Sequence, residues 1–155
     1  FNDSIEVVCC FQFEVNVYTA WIRHRLNKNS EMLTNSETPK IFVICPAFNV
    51  AHVLQKTFDE IPKDQISEIL LVDDGSTDNT AKLGEQLGMT VLSHERNRGY
   101  GAAQKTGYQE ALRKNADIAI LVHADNQYDP TLTPQFIEPL IGVQILVSCS
   151  TKMAY

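Results

Sequence analysis

From residue 41 onward, short apolar runs alternate with segments whose apolar residues recur at helical spacing. Ile41–Cys45, Ile69–Val72, Thr90–Ser93 and Ile118–Val122 are continuous apolar or β-branched runs, the pattern of strands covered on both faces. Between them, Ala51–Glu60, Thr80–Leu87 and Gly101–Lys114 read as helices, and Gly88 offers the second a C-cap. In the third helix Ala103, Gly107 and Ala111 recur every four residues, a small-residue stripe that lets a helix backbone lie close to a sheet. Strands alternating with helices predict a largely parallel α/β sheet, whose ligands bind at the carboxyl ends of the strands. Upstream, Phe11, Phe13, Val15 and Val17 alternate with Gln12, Glu14, Asn16 and Tyr18. That period of two predicts a half-buried strand, able to add an edge to the sheet or to pair two chains as a homo-oligomer. Asn27–Lys40 reads as a polar linker.

Composition narrows the function class. With 155 residues, 44% hydrophobic and 21% charged, the chain has the length and make-up of one globular domain. Its net charge of −6 argues against nucleic acid as a partner. An acidic protein that binds an anionic diphosphate needs a local device, such as a metal ion or exposed backbone amides. Cys9, Cys10, Cys45 and Cys149 form no C-x-x-C pair, so reduced, cytoplasmic thiols are the plain reading. No run approaches the ~20 apolar residues of a spanning helix, and the N-terminal apolar stretch lacks the features of a signal peptide. A soluble chain is expected.

The strand ends carry the chemistry. Pro46-Ala47-Phe48-Asn49 follows the first strand; Pro46 can end it, and Asn49 can cap the next helix. Asp73-Asp74-Gly75-Ser76-Thr77-Asp78-Asn79-Thr80 follows the second. Gly75 suits a tight turn and Thr77 or Asp78 a helix cap. Two adjacent carboxylates at the end of a buried strand still need donors, which a nucleobase N–H or ribose hydroxyl could supply. After the third strand, Arg96-Asn97-Arg98-Gly99-Tyr100-Gly101 brings glycines and arginines to a helix start, which suits phosphate or a plain turn. After the fourth comes His123-Ala124-Asp125-Asn126-Gln127-Tyr128-Asp129-Pro130. In extended geometry His123, Asp125 and Gln127 point to one side and could share Mg²⁺ or Mn²⁺; a capping loop begun by Asp129-Pro130 is the other reading.

Taken together, these segments resemble family 2 glycosyltransferases, above all those similar to dolichyl-phosphate mannose synthase and polyprenyl-phosphate sugar transferases. They occur in the family's order across residues 41–141. The resemblance implies a GT-A type nucleotide-diphospho-sugar transferase fold, an α/β architecture with a Rossmann-like, mostly parallel sheet. Pro46, Ala47 and Asn49 would then line the nucleotide pocket, and Asp73 and Asp74 would hold base and ribose. Asn97, Gly99 and Ala124 would add donor contacts. Asp125 would be the principal metal ligand, with Gln127 and His123 assisting around Mg²⁺ or Mn²⁺. The implied reaction is inverting transfer of a sugar from a UDP- or GDP-sugar to a lipid phosphate or a saccharide. A lipid acceptor would bring the chain to the cytoplasmic face of a membrane.

The chain departs from the family at several points. His123 stands at the first acidic position of D-x-D, Val50 where Glu is frequent, and Asn126 where Gly is usual. Ile145–Ser150 looks like the family's next strand, but Cys149-Ser150 replaces the arginine expected there. Residues 1–40 match nothing in the family, and the family domain runs on past the position of Tyr155. Residues 41–155 are thus expected to hold the donor half without the acceptor half, and no catalytic base stands out. A non-catalytic nucleotide-sugar binder, or a fragment inactive by itself, is the main alternative. A signalling receiver domain would explain Asp73, Asp74 and Asp125, but it leaves Ile41–Cys45 as one strand too many at the start.

Overall fold

In a computed structural model of the chain, residues 38–126, 129–135 and 137 are described, together with the backbone of two strands within residues 10–22. Gln127, the Ile145–Ser150 run and most of the polar segment Asn27–Lys40 lie outside the described residues. The strands are β1 (Cys10–Phe13), β2 (Asn16–Ile22), β3 (Ile41–Ala47), β4 (Glu68–Asp73), β5 (Thr90–Ser93) and β6 (Ile118–Leu121). The helices are α1 (Ala51–Glu60), α2 (Thr80–Gln86) and α3 (Tyr100–Arg113), and a 3₁₀ turn spans Pro130–Leu132. Among the described residues no helix is long and apolar enough to cross a membrane.

The sheet order is β1-β2-β6-β3-β4-β5. β6, β3, β4 and β5 run parallel, and β2 pairs antiparallel with β6. The N-terminal alternation, expected as one strand, is divided between β1 and β2, which pair antiparallel. Residues alternate between the two faces of the parallel strands, and each face has its own core. Ile41, Val43, Cys45 and Ala47 pack with Leu54 of α1 on one face, with Leu83 of α2 against the same cluster. Phe42 and Ile44 pack with Ala103 and Ala111 of α3 on the other. Burial pushes the Cys45 thiol up to about 12, so this cysteine serves as a small apolar core residue.

Pro46 lies within β3 rather than ending it. The last bond from β6 is Val122 N–H to the Ile44 carbonyl at 2.9 Å, two residues earlier. Pro46 faces the same side, past the end of β6, where its missing N–H costs no ladder bond. The sheet therefore opens between β3 and β6 just where the chain switches from building outward to building on the other side. That is the ligand crevice expected of open α/β sheets.

The small-residue stripe of α3 behaves as expected: Ala103, Gly107 and Ala111 are all buried. A Cβ at Gly107 would overlap Ile44 Cγ2 and lie 3.2 Å from Val72 Cγ2. Glycine to alanine inside a helix normally stabilises by up to ~1 kcal/mol. Here the struck methyl is fixed on a fully buried, β-branched side chain, so Gly107→Ala is expected to destabilise by about 1–3 kcal/mol. Urea denaturation would read the sign directly.

Candidate functional site

Two loops build one wall by holding each other. Asn49 has a left-handed φ of 55° and does not cap α1 as expected; the N-cap is Val50. The Asn49 amide oxygen instead accepts from Thr77 N at 2.8 Å, and Asn49 N donates to Ser76 Oγ at 2.9 Å. The first amides of α1 are satisfied from the later loop: Val50 N donates to Thr80 Oγ1 at 2.9 Å and Ala51 N to Asp78 Oδ2 at 3.1 Å. Burial alone would raise the Asp78 pKa. Hydrogen bonds from the Thr80 hydroxyl and amide and from Ala51 N, with the charge of His52, outweigh it and hold the carboxyl below the ordinary range.

The second wall joins the ends of β4 and β5. Asp74 is buried and accepts from His94 Nδ1 at 2.6 Å, Arg98 N at 2.9 Å and Gly99 N at 2.8 Å. Its burial would raise the pKa, but these bonds and the nearby imidazole more than compensate, leaving it below the ordinary value. Asp73 is also buried and accepts from Ser76 N at 3.2 Å. The lowered carboxyls of Asp74 and Asp78 release stability in the same direction. Their contribution is complete above an unfolded value of about 3.9 and is lost as pH falls through their lower folded values. Denaturation midpoints are expected to drop as pH is taken below about 4, and to drop less steeply in Asp74→Asn.

The third wall follows β6. The extended geometry assumed for His123, Asp125 and Gln127 does not continue, because the strand stops at Leu121 and residues 124–125 turn. Asn126 takes φ 55°, the turn geometry for which asparagine substitutes for glycine. With its amide nitrogen facing Glu60 Oε2 and its oxygen facing Lys56 Nζ, each at 3.0 Å, it ties the turn to α1. Thr57, also on α1, donates to the Ala124 carbonyl at 3.1 Å. His123 Nε2 lies 3.0 Å from Tyr100 Oη, and the two rings stack with centroids 5.3 Å apart. Burial lowers the His123 pKa and the Asp125 charge opposes it only in part, so the imidazole is neutral at pH 7.

These walls enclose a pocket of about 290 Å³. Of the residues expected from the sequence, Pro46, Ala47, Asp74, Asn97, His123, Ala124 and Asp125 line it. Asn49, Asp73 and Gly99 shape the adjoining loops without lining it, so Asp74, and not Asp73, shares the crevice with Asp125. Phe48 and Tyr100 also line it and were given no role by sequence reasoning, yet each is 46% exposed. An aromatic residue in a strand-end loop, outside any apolar period, was the available sign. Among the described residues, no three His, Cys, Asp or Glu side chains gather as a ready-made metal site.

The architecture is shared with glucosyl-3-phosphoglycerate synthase from Mycobacterium tuberculosis, solved with Mn²⁺, UDP and glucosyl-3-phosphoglycerate. The TM-score is 0.57 at 24% identity, over 68% of this chain and 41% of that one. An uncharacterized protein of Methanocaldococcus jannaschii is 32% identical over 116 residues, 75% of this chain and 48% of that protein. The UDP-N-acetylglucosamine–dolichyl-phosphate N-acetylglucosaminyltransferase of Methanococcus voltae is 30% identical over 119 residues, 66% of this chain and 47% of that enzyme. The chain thus spans about half the length of the curated relatives it matches. Residues 42–151 match Glycosyl transferase family 2, which removes the receiver-domain alternative. Sequence and architecture agree: the chain has a GT-A type fold and belongs to glycosyl transferase family 2.

Proposed function

We propose that the crevice holds the nucleotide diphosphate of a UDP- or GDP-sugar with Mg²⁺ or Mn²⁺, and that the protein transfers the sugar with inversion to a lipid phosphate or a saccharide. The observation that carries this reading is the meeting of Asp125 and His123 from the end of β6 with Pro46 and Ala47 from the end of β3. That meeting lies at the one place in the sheet where the strand order reverses. The M. voltae relative's name, with its dolichyl-phosphate acceptor, and the M. tuberculosis complex with UDP and Mn²⁺ support it.

The donor set fits a hard divalent cation. Asp125 offers a carboxylate and His123 a neutral imidazole, and phosphate oxygens are the natural remaining ligands. When bound, such an ion neutralises the diphosphate and stabilises it as a leaving group. The chain's own residues do the rest. Pro46, Ala47 and Phe48 offer an apolar surface to the nucleoside, Phe48 as an exposed ring on which a base can stack. Asn97 and the loop reaching Gly99 present polar groups to the ribose and diphosphate, and Ala124 places the backbone close to the sugar. Gln127 is assigned to assist Asp125, and Asp73 and Asn49 support the nucleoside side through their loop. An ionised lipid phosphate already carries the charge of a nucleophile, so no strong general base is required of this chain.

Calorimetric titration with UDP and GDP, with and without Mn²⁺, tests the binding step. Binding that requires the ion is expected, and binding indifferent to it would refute the reading. Release of the nucleoside diphosphate from a UDP- or GDP-sugar upon addition of polyprenyl phosphate in vesicles separates a transferase from a non-catalytic binder.

A further inference from the structure

At the edge of the crevice, Asp74, His94 and Thr106 form a part-buried chain, whose His94 and Thr106 none of the roles above uses. His94 Nδ1 lies 2.6 Å from Asp74 Oδ1, and Nε2 lies 2.9 Å from Thr106 Oγ1. The His94 and Asp74 side chains are only 7% and 5% exposed. Hydroxyl, imidazole and carboxylate stand in the order of a hydrolytic triad. Thr106, however, lies mid-helix in α3 and lines neither the crevice nor the hollow beside Arg96 and Arg98. The order serves something other than nucleophilic attack.

The other partners of Asp74 show what. Its two oxygens also accept the backbone N–H groups of Arg98 and Gly99, so three of about four acceptor positions are taken. A carboxylate committed in this way is fixed in place where it lines the crevice. Gly99 is the N-cap of α3, and Tyr100, the first residue of that helix, reaches His123 on the opposite wall. Asn97, two residues before Gly99, faces the crevice. The path from Thr106 to His123 is thus an unbroken series of hydrogen bonds and adjacent residues.

We infer that Asp74, oriented by His94 and Thr106, is a positioning residue that sets the Asn97–Gly99 loop and the start of α3 before any ligand arrives. It then acts on the nucleotide through Asn97 and Tyr100, in addition to any contact of its own from the crevice wall it lines. The inference rests on the reading that the crevice takes a nucleoside diphosphate. Presetting the loop removes an ordering cost from binding, and a fully satisfied polar network is the means of doing so in a buried place.

Two histidine replacements separate the parts of the network. The amide nitrogen of asparagine can occupy the place of Nδ1, and that of glutamine the place of Nε2. His94→Asn therefore keeps the donor to Asp74, and His94→Gln keeps only the contact to Thr106. Amide hydrogen exchange at Arg98 and Gly99 is measured in the ligand-free protein, and the affinity for UDP and GDP with Mn²⁺ by calorimetry. His94→Gln is expected to speed exchange at both amides and to weaken nucleotide binding about tenfold, while His94→Asn stays close to wild type in both. Thr106→Val, which keeps the side-chain shape, gives a smaller loss in the same direction and serves if His94→Gln fails to fold. Equal behaviour of the two histidine variants overturns the inference. So does weakened binding with unchanged exchange, which would put His94 in direct contact with the ligand. If the wild type binds neither nucleotide, the crevice reading falls, and the exchange comparison alone decides the positioning role.

Discussion

Gly75→Ala is expected to destabilise the protein by about 3 kcal/mol, lowering the melting temperature by roughly 10 °C. Gly75 has φ 75°, where an alanine costs roughly 1–2 kcal/mol by itself. A Cβ there would also stand 2.5 Å from Arg96 C, 2.6 Å from Asn97 N and 2.8 Å from Arg96 Cα. These are backbone atoms of the loop that presents Asn97 to the crevice, so no side-chain rotation relieves the overlap. Gly88 is the matched control: its φ is 80°, but a Cβ there meets nothing within 4 Å. Gly88→Ala should lose only the backbone part, about 1–2 kcal/mol. Thermal denaturation of the two variants side by side makes the comparison. Equal losses would mean that the close approach of the loops after β4 and β5 contributes nothing.

Asp125→Ala is expected to weaken Mn²⁺-dependent binding of UDP or GDP about a hundredfold, or roughly 2.7 kcal/mol. The argument is one of charge. An acidic chain of net charge −6 can take up a diphosphate only if the ion stays in the crevice, and Asp125 is the anionic group beside it on the β6 wall. His123 cannot replace that charge, because an imidazole ligates as a neutral group. His123→Ala should therefore cost less, about tenfold. Asp125→Asn, which keeps the shape and removes the charge, should resemble Asp125→Ala. Titration of the three variants with and without Mn²⁺ decides it; a harmless Asp125→Asn would rule out an electrostatic role.

Much of the fold was legible because each parallel strand is an apolar run and each helix has a period of its own. Thr90–Ser93 and Ala51–Glu60 match their expected bounds, and the other expected strands and helices of the parallel core differ by at most two residues at an end. The small-residue stripe on α3 was legible for the same reason: spacing along one helix is local information. The capping of α1 was not. Asn49 is the local choice for a cap, but Asp78, 27 residues from Ala51, supplies it, and nothing in a one-dimensional pattern encodes that distance. Sheet order was likewise hidden, since alternation of strands and helices does not say that β6 returns beside β3. Within the site, the aspartates drew attention as chemistry. Their difference lies in orientation: Asp74 borders the crevice and Asp73 does not. His94 was invisible to sequence reasoning because a lone histidine at a strand end has no spacing to read. Its meaning comes from Asp74 and Thr106 meeting it in space.

The placement of β6 beside β3 also dictates when the crevice can exist. Ile44 is paired with Leu121, so one wall is synthesised long before its neighbour leaves the ribosome. Until that later segment docks, a nascent chain has half a binding site and an open seam along β3. Closing the seam draws together ends separated by three helices and two strands, an entropic cost met before any contact across it forms. A ligand of the crevice can therefore stabilise only the finished sheet and gives no help to the growing one.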